Sequence, residues 1–306
     1  MKFKAKRPHY EYLRKKWISK HQHAAEKLLS SHQDAVKNVA LGGLGGLMML
    51  SNPGVQATMP QPQELTNNNI TKEEDKTVLL AKSLEINVPK EMRSLTPEEE
   101  SKVEGVLADN MGFKVKAELD GVRLNRSYGM IGGEQHLYRY PGDNLYKHAD
   151  NASDWAMYGG SGIAPGLGAW GYFTSSESNF SAKDKEREKY YLAVPTFLAP
   201  GFAENVGKYR DFFKFRKMLV VNPKTGQSVV AVVGDAGPAQ WTGKHLGGSP
   251  EVMHYLGLAK GPRKGAVVYF FIDDPKDQIP LGPISPKGPS LAKEDNIVTK
   301  ILARGK

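Results

Sequence analysis

Asp235 stands where a carboxylate could work as an acid. It follows a β-branched run, residues 228–233, and precedes the breaker Ala236-Gly237-Pro238. A strand that runs into Asp and is stopped by Gly-Pro presents one carboxyl group at a strand end. Val232, Val233 and Trp241 are the apolar residues able to shield it. Partial burial raises a carboxyl pKa toward the range in which it can deliver a proton. The same residue also suits an Asx-turn, capping the Ala236-Gly237 turn. Both roles are open to it at this level.

A second group lies in residues 131–148, IGGEQHLYRYPGDNLYKH, a polar and aromatic loop. Glu134, His136, Arg139 and Asp143 could line a site there or simply decorate a turn. His9, His21, His23 and His32 are scattered near the N-terminus. His21 and His23 fall on different helix faces with no carboxylate partner, so no metal site is expected. The chain has no cysteine, which excludes a disulfide framework and thiolate chemistry. Gly166-x-Gly168-x-x-Gly171 matches the dinucleotide fingerprint in form only. No strand precedes it, and residues 170–174 (WGYFT) read as a strand, not a helix. There is no Gly-Lys-Ser/Thr phosphate loop, and no cofactor is expected.

The elements that must position Asp235 are legible around it. Residues 218–221, the turn Asn222-Pro223-Lys224-Thr225-Gly226, and residues 228–233 read as a hairpin. Ser249 is an N-cap, Pro250 a first helical residue, Glu251 sits at the positive helix end, and Gly257 is a C′ glycine. Residues 190–197 and the apolar run 266–272 read as strands. Upstream, Thr96-Pro97-Glu98-Glu99 is a capping box. Residues 113–124 alternate around Asp120-Gly121, a type I′ hairpin signal. Residues 182–189 are a charged run of mixed sign, read as a solvated helix or loop.

The order of hairpin, Gly234-Asp235-Ala236-Gly237-Pro238, and Ser-Pro-capped helix ending in Leu256-Gly257 resembles the double-psi β-barrel of rare lipoprotein A-like lytic transglycosylases and of expansins. Gly168-Ala169-Trp170-Gly171-Tyr172 is similar to the stretch that opens expansin barrels. The resemblance covers roughly residues 160–272. It implies a groove with Asp235 as a single acid/base, and Trp170, Tyr172 and Trp241 stacking on sugar faces or, alternatively, filling the barrel core. Two positions depart from the family. Its strand histidine is replaced within Leu192-Ala193-Val194-Pro195, and its Asp-Leu-Ser reads Gly247-Gly248-Ser249, with His245 a few residues upstream as a substitute. A barrel with only the first Asp is closer to expansins, which bind and loosen wall polymers without hydrolysis.

The expected fold is therefore mainly β: a six-stranded double-psi β-barrel, a small α+β N-terminal region and a basic helical N-terminal segment. The net charge of +9 over 306 residues is uneven. Residues 1–38 hold ten Lys/Arg and three Asp/Glu, residues 39–57 hold none, and the remainder holds 32 against 30. The body thus carries only +2, and no nucleic-acid partner is expected for it. Residues 39–50 form a 12-residue apolar run, too short for a comfortable membrane span and suited to a signal segment, with Val55-Gln56-Ala57 as the cleavage site. Export to the cell envelope is expected, or membrane contact through residues 1–50 if they are retained. The expected divisions are a leader at 1–57, a linker at 58–95, the α+β region at 96–158, the barrel at 159–273 and a Pro-rich tail at 274–306. The expected partner is a peptidoglycan-like cell-wall glycan, cleaved by a lytic transglycosylase or bound without chemistry.

Overall fold

Six strands close into a barrel: β4 (Tyr128–Gly133), β5 (Tyr191–Val194), β6 (Lys217–Val221), β7 (Ser228–Ala236), β8 (Leu246–Gly248) and β9 (Lys264–Ile272). β4 pairs with β9, β9 with β6, β6 with β7, β7 with β5, β5 with β8, and β8 returns to β4. The β4/β8 and β5/β7 contacts are parallel and the other four antiparallel. Closure leaves no open edge in the ring. The computed structural model describes residues 68–288, with side chains from residue 76. The basic segment, the signal-like run, the Ala57 site and a terminal helix expected at 290–303 lie outside the described residues.

The apolar runs are continuous because both faces of the wall are covered. Leu192, Val220, Val229, Ala231, Leu246 and Phe271 belong to an interior cluster fed by all six strands. The alternate residues Leu219, Val221, Val230, Val268 and Phe270 face outward into a second cluster. That layer is built by α1 (Asn68–Asn87) and α2 (Pro97–Met111) through Leu80, Leu84, Val103, Leu107 and Met111. Each fully buried side chain of this kind contributes roughly 1.5–3 kcal/mol.

Several local expectations appear directly. Thr96 and Glu99 form the reciprocal capping box that starts α2. Asp120 and Gly121 both have positive φ, 52° and 73°, at the tip of a hairpin between β2 (Glu118–Leu119) and β3 (Val122–Arg123). β6 and β7 form the hairpin around residues 222–227. Its Gly226 has φ 76°, and a Cβ there would lie 2.1 Å from the Thr77 carbonyl oxygen of α1. Glycine is thus required twice over, by the turn and by the helix resting on it. Ser249 Oγ accepts from the Val252 N–H to cap α6 (Pro250–Tyr255).

Other expectations change. The barrel begins at β4, upstream of residue 159. Glycine lowers strand propensity, which is why residues 131–148 read as a loop from the start. Yet a Cβ at Gly129 would lie 2.8 Å from His245 Cβ, and one at Gly132 would lie 2.6 Å from Lys244 Cδ. The strand needs these glycines so that the residues before β8 can cross it. Residues 170–174 form no strand. A turn closes there, with the Gly171 N–H donating to Gly168 O at 2.9 Å. The stretch read as a linker contains the 20-residue helix α1. Part of the Pro-rich tail is barrel-bound, because β10 (Gly282–Pro283) pairs with β7 and Ile279, Leu281 and Ile284 pack on the outer cluster.

Candidate functional site

A bulge positions Asp235. β5 and β7 pair Leu192 with Val233 and then Ala193 with Asp235, so Gly234 is an extra residue. A Cβ on Gly234 would lie 2.6 Å from Tyr191 Cβ, so glycine lets the wall close beside that ring. Asp235 stands opposite Ala193, outside the interior cluster. Its Oδ1 accepts from the Ala169 N–H at 2.6 Å and from the Ala236 N–H at 2.8 Å. Oδ2 accepts no bond among the described residues. Burial pushes this carboxyl above its usual pKa, although the two N–H donors act in the opposite direction. An Asx-turn would need the Gly237 N–H, which instead donates to Val194 O at 3.0 Å. The side chain therefore does not cap that turn.

The Ala169 N–H belongs to a strap, residues 162–174, that passes over the end of β7. His136 N–H donates to Gly162 O at 3.0 Å, and Ala164 N–H returns a bond to His136 O at 2.8 Å. The Phe173 and Thr174 N–H groups both donate to Arg139 O, at 2.9 and 3.1 Å. The Trp170 indole N–H donates to Val233 O at 3.1 Å, and the Arg210 guanidinium lies 5.8 Å from its ring centroid. Trp170 thus pins the strap to the wall and packs against the interior cluster. Tyr172 is 39% exposed and Trp241 is 89% exposed.

The register brings the C-terminal ends of β5 and β7 beside the N-terminal ends of β4 and β8. A cavity of about 270 Å³ opens there, lined among others by Arg126, Lys244, His245, Gln240, Pro195 and Pro238. His245 Nδ1 accepts from the Met130 N–H at 3.0 Å, which places its own proton on Nε2. Burial, with nearby Arg126, lowers its pKa and keeps the ring neutral at pH 7. Arg126 makes no ion pair among the described residues. Lys244 pairs with Glu134 at 2.7 Å. A Cβ on Gly247 would lie 2.4 Å from Glu134 Oε1. Glu134 therefore puts a carboxylate into the space beside the position where the resembling barrels carry Asp.

The remaining loop residues go into a buried ionic network. Arg139 forks onto Asp143, with Nε to Oδ2 at 2.9 Å and Nη2 to Oδ1 at 2.7 Å. His148 lies between two carboxylates, Nε2 at 3.0 Å from Asp143 Oδ2 and Nδ1 at 3.2 Å from Glu188 Oε2. His136 Nδ1 is 3.3 Å from Glu188 Oε1, which also accepts from the Leu137 N–H at 3.1 Å. Glu188 comes from α4 (Ala182–Lys189), started by a capping box at Ser181. Burial disfavours charge on His148, but its bonds to Asp143 and Glu188 overcome this and raise its pKa to about 9. Burial also opposes ionisation of Glu188, yet its bonds to His136 and His148 bring it to about 2.

No protein-family model, curated protein or solved structure matches the chain. Sequence reading singled out Glu134, His136, Arg139 and Asp143, and all but Glu134 meet in the network. It passed over His148 and Glu188. Glu188 belongs to a helix whose composition reads as fully solvated, and only the position of α4 against the loop buries it. Also passed over is an exposed ring pair: Tyr146, 77% exposed, stacks on Trp155 with centroids 4.9 Å apart.

Glu251, at the start of α6, is 3% exposed and its Oε2 has no hydrogen-bond partner. Burial, then the charge on Glu188, push its pKa to about 8. A carboxyl raised on folding stabilises the fold while protonated, and that contribution disappears as pH rises through the folded value. The chain is expected to lose stability between pH 4.5 and about 8, and Glu251→Gln is expected to flatten that decline. Denaturant midpoints measured for both proteins across this window provide the check. Parallel curves would show that Glu251 is not the group responsible.

Proposed function

We infer that this chain is an exported cell-wall protein whose barrel is of the double-psi kind and whose Asp235 cleaves a peptidoglycan-like glycan without activating water. Two parallel and four antiparallel contacts in a closed six-strand ring support the barrel assignment. One observation carries the chemistry. Asp235 is anchored through Oδ1 by two N–H groups, leaves Oδ2 unbonded, and has a raised pKa. Oδ2 gives its proton to the glycosidic oxygen as the bond to the anomeric carbon breaks. The resulting carboxylate then takes a proton from a hydroxyl of the same sugar as that oxygen attacks the anomeric carbon. One carboxyl group suffices for both steps. A neighbouring cavity at this barrel end, lined by Arg126 and not by Asp235, offers a guanidinium without an ion-pair partner among the described residues to a glycan that carries carboxylates.

A second reading, binding without cleavage, is favoured by Trp241. A tryptophan 89% exposed, on the turn between β7 and β8, contributes nothing to the core and offers a flat apolar face. Co-sedimentation with purified peptidoglycan tests the binding part of both readings. Trp241→Ala and Arg126→Ala are each expected to weaken it about 2- to 10-fold with an unchanged melting temperature. Unaltered binding in both variants would remove this barrel end as the glycan surface. Binding to DNA that persists at high salt would overturn the glycan assignment altogether.

A further inference from the structure

The geometry points to a structural site for a divalent transition metal of the zinc class, held by His136 Nδ1, His148 Nδ1 and the Glu188 carboxylate. These ligand-type atoms all lie within 4.8 Å of one another, and the three residues are buried. Two imidazoles and a carboxylate are the donor set of zinc and its neighbours.

The spacings between the histidines and Glu188 fit coordination. Charge-assisted N–H to carboxylate bonds run at about 2.7–2.9 Å, as Arg139 Nη2 to Asp143 does at 2.7 Å. The two histidines stand farther from Glu188, at 3.3 and 3.2 Å. A tetrahedral ion with bonds of about 2.0–2.1 Å separates its ligands by about 3.3–3.4 Å. Each histidine approaches a different oxygen of the carboxylate, so Glu188 can chelate.

The surroundings complete the site. His148 Nε2 is 3.0 Å from Asp143 Oδ2, and Asp143 is itself held by the Arg139 fork. A ligating histidine whose other ring N–H donates to a fixed carboxylate is the usual outer-shell arrangement of zinc sites. It fixes the tautomer and leaves Nδ1 free for the ion. Arg139 and Asp143 balance one another, and the Glu188 carboxylate offsets part of the ion's charge. The site ties the loop carrying residues 136 and 148 to α4.

Chelator-treated full-length protein titrated with Zn²⁺ alone tests this, with Co²⁺ as a spectroscopic probe. One ion per folded barrel is expected, with a rise in melting temperature and intense visible bands from Co²⁺ in tetrahedral geometry. His136→Ala is expected to weaken Zn²⁺ binding at least about 100-fold. Asp143→Asn, which keeps every ligand, is expected to weaken it about 10- to 100-fold. Ions taken up by His9, His21, His23 and His32 respond to neither substitution and leave the melting temperature alone. The site is refuted by a folded protein whose melting temperature ignores millimolar Zn²⁺, or by a stabilisation that persists unchanged in His136→Ala. Should His136→Ala fail to fold, parental affinity in Asp143→Asn refutes it equally.

Discussion

Asp235→Asn is expected to lower glycan cleavage by about 10²–10⁴-fold and to leave the barrel folded. The asparagine carbonyl keeps both bonds that Asp235 Oδ1 accepts, from the Ala169 and Ala236 N–H groups, so the strap stays in place. What it loses is the proton on the other atom. Glycan binding should persist, because Trp241 and Arg126 are untouched. The pH profile adds a signature. Burial raises the Asp235 pKa, so the acid form survives above the ordinary Asp range and cleavage declines as pH rises through the raised value. Residual activity in the asparagine variant should lack that limb. Parental rates in Asp235→Asn would show that the proton comes from elsewhere.

Arg139→Met is expected to cost about 3–5 kcal/mol of stability. Methionine fills much of the same volume but leaves Asp143, which is buried, with His148 as its only charged partner. Loss of the guanidinium from a buried ion pair accounts for that magnitude, even with His148 still beside the carboxylate. Arg139→Lys should recover only part of it, because one ammonium cannot reproduce the two-pronged contact with Asp143. Cleavage should fall as well. The Arg139 carbonyl accepts from Phe173 and Thr174, and that strap delivers the Ala169 N–H to Asp235. Denaturant melts of the three proteins measure the effect. A change below about 0.5 kcal/mol in Arg139→Met would mean that Asp143 finds another partner or that water reaches the network.

The hairpin, the Thr96 capping box and the Ser249 cap are legible because each is a local motif with fixed residue chemistry. Asp235 was legible for the same reason: a β-branched run and a Gly-Pro stop bracket it. Its role against turn capping was not, since that depends on where the Gly237 N–H goes, and Val194 is on another strand. β4 is not legible in the sequence because its glycines answer to His245 and Lys244, more than a hundred residues away in sequence. Glu188 and His148 are hidden in the sequence for the complementary reason. Each lies in a polar stretch, and only tertiary contact between loop and helix turns those stretches inward. Trp170 marks the middle case. An aromatic in a glycine-rich stretch signals importance, but only the bond from its indole to Val233 O places it as a pin of the strap.

The central claim is that Asp235 breaks a glycan chain without adding water. Mass analysis of soluble fragments released from purified peptidoglycan by the folded chain tests it most directly. The expected fragments carry an internal anhydro ring and weigh one water less than hydrolysis products, and they are absent when Asp235→Asn is used. Fragments that have gained water, or an intact polymer after incubation with protein that demonstrably binds it, would contradict the claim.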